Sequence, residues 1–215
     1  MPLYVFALVD AAPRTVGRGL SAAVALRKVT GGYAAVERRA DVPPLEFGTL
    51  KAHEQVIERL ASLAPAVVPV RFGTLLTVDE LDAALEDREE ELREAFDLVR
   101  GRLQFTWRAT AAGTPPRARR QTAPARSGTD YLRRAARAAH PAPPASFRRA
   151  RSLGRLAAAE RFAPATAIIP GALYHLVDRS RAEAYASAAA DVRAHAPGLS
   201  WSGPFAAYAF APELL

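Results

Sequence analysis

Leu103-Gln104-Phe105-Thr106-Trp107-Arg108-Ala109-Thr110 alternates apolar and polar side chains at period two, which predicts a half-buried β-strand. Residues 111–125, rich in Ala, Pro, Gly and Thr, read as a loop. An Arg-rich stretch over about 128–160 reads as helix in two pieces, broken at Pro141, Pro143 and Pro144. Short strands are expected at Ala165–Ile169 and Ala172–Val177 around the turn dipeptide Pro170-Gly171. A helix over Arg181–His195 carries Ala182, Tyr185, Ala189 and Val192 on one face, and Leu199–Phe210 brings the chain back as a last strand. The order strand, helix, strand, strand, helix, strand is that of a ferredoxin-like sandwich.

Upstream, the same plan repeats with its first helix reduced to the loop over residues 10–23. Leu3–Val9 reads as a buried strand. Val24–Val29 and Tyr33–Arg39 form a hairpin around Gly31-Gly32. A helix from Thr49 to Leu63 presents Leu50, Val56, Ile57 and Leu60, and Pro65 ends it. Ala66–Phe72 reads as a strand covered on both faces, which puts Pro69 at an edge or a bulge because it has no N–H to donate. Thr77-Val78-Asp79-Glu80 is a capping box opening one helix through Leu81, Leu85, Leu92, Phe96 and Val99. The fold class is therefore α+β, with two small domains over residues 1–100 and 101–215.

Half of the 215 residues are hydrophobic and 24% are charged, an ordinary globular balance. No apolar run is long enough to span a membrane, and there is no cysteine for a disulfide or a thiolate metal site. The chain reads as soluble and cytoplasmic. Its net charge of +7 is uneven: residues 117–155 hold eleven Arg and only Asp130 as an acid, leaving −3 for the rest. This island suits a surface tolerant of arginine, an acidic protein partner or nucleic acid.

Chemical motifs fail one by one. His53-Glu54 opens like a zinc-protease helix, but the second His needed one turn on is Ile57. Gly17-Arg18-Gly19-Leu20-Ser21-Ala22 matches a loose dinucleotide pattern but lies well after its strand, with a hairpin where the crossover helix should be. Gly198-Leu199-Ser200-Trp201-Ser202 misses a nucleophile elbow because position 202 is not Gly. The acidic run Glu86–Glu91 is a solvated helix face. No enzyme, metal site or cofactor is expected. The aromatic set Trp107, Trp201, Phe205, Tyr208 and Phe210 reads as packed core, with a docking strip as the alternative.

Several motifs, in order, resemble the gas vesicle protein F/L family. Leu3-Tyr4-Val5-Phe6-Ala7 matches its opening strand, and His53 precedes Pro69-Val70-Arg71-Phe72-Gly73-Thr74. Phe105-Thr106-Trp107, then Gly128-Thr129-Asp130-Tyr131-Leu132-Arg133-Arg134, then Tyr174-His175-Leu176-Val177 follow. The chain closes on Gly203-Pro204-Phe205-Ala206-Ala207-Tyr208, where Phe205, Ala206 and Ala207 replace the family's Trp-Pro-Pro. The resemblance implies two α+β domains, no catalysis, and a part in gas vesicle assembly through binding the hydrophobic shell protein and other accessory proteins. It implies no small-molecule substrate and no membrane. A basic nucleic-acid-binding module is the alternative. The interaction candidates are Pro69, Arg71, Phe72, Gly73, Thr74, Tyr131, Arg133, Arg134, Gly203, Pro204, Phe205 and Tyr208. Phe72 is expected to be buried and Gly73 to have positive φ.

Overall fold

The computed structural model describes residues 1–109, 142–166 and 169–215. Its contacts define two compact units: Met1–Gln104 together with Pro204–Leu215, and Phe105–Gly203. Residues 204–215, expected with the second half of the chain, thus pack with the first.

In the first unit, β1 (Leu3–Val9) is buried along its whole length. It is central in a sheet ordered β2 (Ala25–Val29), β3 (Gly32–Arg38), β1, β4 (Val67–Pro69), with β5 (Leu75–Leu76) also on β1. The β1–β3, β1–β4 and β2–β3 pairs are antiparallel, and β1 shifts register against β3 between Val5 and Ala7. Helix α1 (Phe47–Leu63) buries His53, Val56, Ile57 and Leu60. Val56, Ile57 and Leu60 join Tyr4, Phe6, Val9, Val67 and the returning Ala206 in one core. Leu50, expected on that buried face, is exposed instead.

Two expectations change here. The strand over Ala66–Phe72 ends at Pro69. Val70 N–H still bonds to the Phe6 carbonyl, the chain then bulges outward, and it rejoins β1 where Val5 N–H reaches the Thr74 carbonyl. Pro69 is the last residue of an edge strand before that bulge, where its missing N–H costs nothing. The single helix expected after Thr77 is two, α2 (Val78–Glu86) and α3 (Glu89–Val99). At the break between them, Arg88 donates to the carbonyls of Glu213 and Leu214 and to the Glu91 carboxylate.

The loop that loosely matched a dinucleotide pattern is closed on itself. Leu20 N–H and Ser21 N–H donate to the buried Glu37 carboxylate at 2.6 and 3.0 Å, and Ser21 Oγ–H donates to it at 2.6 Å. A Cβ on Gly19 would lie 2.1 Å from Glu37 Oε2, so only glycine fits. Burial works to raise the Glu37 pKa, but the bonds from Ser21, Leu20 and Arg39 together outweigh it and hold the carboxyl below its ordinary value. The donors a phosphate would need are already taken.

In the second unit, β6 (Arg102–Ala109), β7 (Ala159–Ala163), β8 (Ala172–Asp178) and β9 (Leu199–Phe205) form a sheet ordered β7-β8-β6-β9. Each sheet thus runs second, third, first, fourth strand of its unit. Strand β6 is central, and Gln104 to Trp107 are all buried, so it is covered more fully than its alternation predicts. The expected strand at 165–169 is absent from its described residues. The partner of β8 is β7, whose Ala-Glu-Arg-Phe-Ala run lies inside the stretch read as helix. The described part of that stretch is helical only over Ala145–Leu156, with α4 (Arg148–Arg151) at its centre; residues 128–141 lie outside the described residues. Helix α5 (Ala182–Ala194) buries Tyr185 and Ala189 as expected. The last strand stops at Phe205 and a 3-10 turn over Tyr208–Phe210 follows.

A polar chain crosses the core of the second unit. Trp107 Nε1–H donates to Tyr185 Oη at 2.8 Å, Tyr185 Oη meets His175 Nδ1 at 2.6 Å, and His175 Nε2 meets Glu160 Oε2 at 3.0 Å. Because indole only donates, the tyrosine proton goes to Nδ1 and the imidazole N–H to Glu160. Arg151 Nε lies 3.1 Å from the other Glu160 oxygen. Burial lowers the His175 pKa, against the pull of Glu160.

Candidate functional site

Two of the three segments singled out in the sequence as interaction candidates meet along α1 of the first unit. Phe72, from the bulge after β4, and Tyr208, from the closing turn, face one side of the helix across a groove of about 540 Å³. The helix side is a stripe at helical spacing: Phe47, Leu50, Lys51, Glu54, Gln55 and Glu58. This stripe lies beside the buried one and is apolar near the helix start and acidic further on. Phe47 is 82% exposed and Leu50 40%, although both are large apolar residues.

His53 ties the groove to the core. Only 4% exposed, it takes the Tyr4 hydroxyl on Nδ1 at 2.9 Å, stacks on Phe6 and meets Phe72 edge-on at 5.4 Å between ring centroids. Burial lowers its pKa to about 4, with the Val70 backbone working the other way. The imidazole is therefore neutral at physiological pH. Burial also raises the Tyr4 hydroxyl to about 12, so it stays protonated and donates to Nδ1.

Each sequence candidate among the described residues has a place. Gly73 has φ +92°, as expected, and its N–H donates to Tyr4 Oη at 3.3 Å. Thr74 closes the bulge, with its N–H and its hydroxyl both donating to the Arg71 carbonyl. Phe72 is half-buried rather than buried. Arg71 pairs with Glu213 at 2.5 Å, but the side chains are 76% and 84% exposed, so the pair contributes little to stability. Gly203, Pro204 and Phe205 end β9, and Tyr208 reaches the groove rim. Its hydroxyl pKa is pushed up by burial first and then by the carboxylates of Glu54 and Glu58. Tyr131, Arg133 and Arg134 lie outside the described residues. Of the aromatic set, Trp107 and Trp201 pack in the second core with Phe105, whereas Tyr208 stands at the groove.

The sequence reading missed Phe47, Glu54 and Glu58. Their signal is a second stripe at 47, 50, 51, 54, 55 and 58, beside the buried face, which a pattern of core positions does not select. Among the described residues no cluster of three or more His, Asp or Glu could hold a metal ion, and no helix is long and apolar enough to cross a membrane.

Comparison with known proteins converges on one family. No curated protein matches the chain by sequence. The fold is similar to the crystal structure of the gas vesicle protein GvpF from Anabaena sp. PCC7120, at TM-score 0.69 and 17% identity, covering 98% of this chain and 96% of that one. It is also similar to GvpF from Microcystis aeruginosa, at TM-score 0.71 and 11% identity, covering 98% and 99%. The family described as gas vesicle synthesis protein GvpL/GvpF matches residues 2–212. With the signature at Pro69–Thr74 and the closing block both placed against α1, the chain belongs to the GvpL/GvpF family.

Proposed function

We propose that this protein acts in gas vesicle formation in the cytoplasm, binding the hydrophobic shell subunit and other accessory proteins during assembly. The observation that carries this reading is the exposed apolar groove where the two signature segments meet, in a chain of this family. A shell subunit with a large apolar face associates off-pathway unless another surface covers it, and an exposed apolar groove offers such cover. The reading includes no catalysis, cofactor or small-molecule substrate. Among the described residues of the basic stretch, Arg149 donates to the His195 carbonyl and Arg151 to Glu160, which favours a structural use of these arginines over phosphate binding. We also read both units as variants of the ferredoxin-like plan, on the support of their shared strand order.

Co-expression with the shell protein tests the function. The shell protein is expected to move from the pellet to the supernatant. An unchanged partition, with both proteins well expressed, overturns the reading.

A further inference from the structure

The groove along α1 has a length, a polarity and a wall composition that together specify an occupant. Phe47 to Glu58 spans twelve residues of helix, eleven rises of 1.5 Å or about 16 Å, three turns. All of its lining consists of residues from α1, the bulge and the closing turn, and none from a strand edge. A strand laid there would leave its own N–H and C=O groups without partners, whereas a helix satisfies its backbone internally. The walls change chemistry along the axis. Phe47 and Leu50 form an apolar end, while Glu54 and Glu58, one turn apart, form an acidic end beside Tyr208.

Neither carboxylate has an ion-pair partner among the described residues. Lys51, a turn nearer the apolar end, is not within ion-pairing distance of Glu54. The two acids are like charges at the spacing that destabilises a helix surface. Burial, and then the charge of Glu58, raises the Glu54 pKa. A cation placed between them relieves that repulsion.

We infer that this groove holds an amphipathic α-helix of about three turns, with apolar side chains against Phe47, Leu50 and Phe72 and a Lys or Arg against Glu54 and Glu58. Resting on the function proposed above, that helix is a segment of the shell subunit. Its direction is fixed, because reversing it would set the cation against Lys51 and the apolar side chains against the carboxylates.

Two measurements test the inference on the full chain. The first titrates a fluorescent synthetic amphipathic helix of about 14 residues, with Leu one turn apart and two Arg toward one end, against its counterpart with Glu in place of Arg. The Arg peptide is expected to bind at least tenfold more tightly. Phe47→Ser and the pair Glu54→Gln, Glu58→Gln are each expected to weaken it about tenfold; Phe47→Ser, at an exposed position, leaves melting unchanged, and the glutamine pair, which removes a like-charge repulsion, does not lower it. Equal binding of the two peptides, or variants that bind like the parent, overturns the inference. The second repeats the shell-protein co-expression with Phe47→Ser and with the glutamine pair. Loss of solubilisation supports the groove as the shell site. Undiminished solubilisation by variants that have lost peptide binding overturns it and leaves the proposed function standing. If even the parent fails to solubilise the shell protein, the proposed function falls, and the peptide titration alone decides the groove.

Discussion

At the scale of single residues, the bulge at 70–74 is held by packing on one side and backbone conformation on the other. Removing the Phe72 ring costs contacts to Tyr4 and His53. Because the ring is half-buried, Phe72→Ala is expected to cost about 2 kcal/mol, below the range for a fully buried phenylalanine. Gly73→Ala is expected to cost about 1–2 kcal/mol from its positive φ alone, since the nearest atom to an added Cβ is Val42 Cγ1 at an unstrained 3.6 Å. Chemical denaturation of both variants checks these values, and their order separates packing from backbone strain. His53 supplies a pH signature. Folded, it protonates only near pH 4, while unfolded it does so near 6.5, so the unfolded chain binds the extra proton between those values. Its contribution is present in full above about pH 6.5 and is lost as pH falls to about 4, by about 3 kcal/mol at most. His175 and Glu37 also weaken the fold in acid. The His53 part is therefore read as the difference between the pH–stability curves of the parent and His53→Gln, which is expected to be flatter from pH 6.5 to 4.

At the scale of elements, legibility follows how local the determining force is. The Thr77 cap was readable because it acts within four residues: Thr77 Oγ1 accepts from Glu80 N–H at 3.2 Å, and Glu80 Oε2 accepts from Thr77 N–H at 2.8 Å. Thr77→Ala is expected to cost about 1 kcal/mol and to leave the groove intact, measured by denaturant midpoint together with peptide binding. The β2–β3 hairpin, the burial of β1 and the edge-or-bulge position of Pro69 were readable for the same reason. Strand β7 was not, because its Ala-Glu-Arg-Phe-Ala run shows no period-two alternation and lies among arginines that suggested helix, and only pairing with β8 over Ala159–Ala163 and Ala172–Leu176 selects the strand. The break between α2 and α3 was hidden as well. The apolar spacing from Leu81 to Val99 suits one continuous helix, and Arg88 meets carbonyls more than 120 residues away in sequence. The groove was half legible: its Phe72 and Tyr208 wall stood out as sequence signatures, whereas its α1 wall consists of exposed residues that no core-seeking pattern selects.

At the scale of the whole molecule, residues 204–215 are part of the first unit, and Ala206, Ala207, Phe210 and Leu214 are buried. A chain truncated after Gly203 is expected to lose about 4–6 kcal/mol, chiefly from Phe210 and Leu214, out of a total stability of typically 5–15. Amide hydrogen exchange resolved by peptide checks this: protection in β1 and α1 is expected to fall sharply while that of β8 and α5 persists. A chain leaving the ribosome meets the same shortage for a time. With 104 residues made, the first unit still lacks Tyr208 and the segment around it. At roughly 5–20 residues per second, that gap lasts on the order of 5–20 s. Throughout it, the groove has its α1 wall and Phe72 but lacks Tyr208. A nascent chain therefore carries the groove with its Tyr208 rim open, and the groove is complete only once residue 208 has been made.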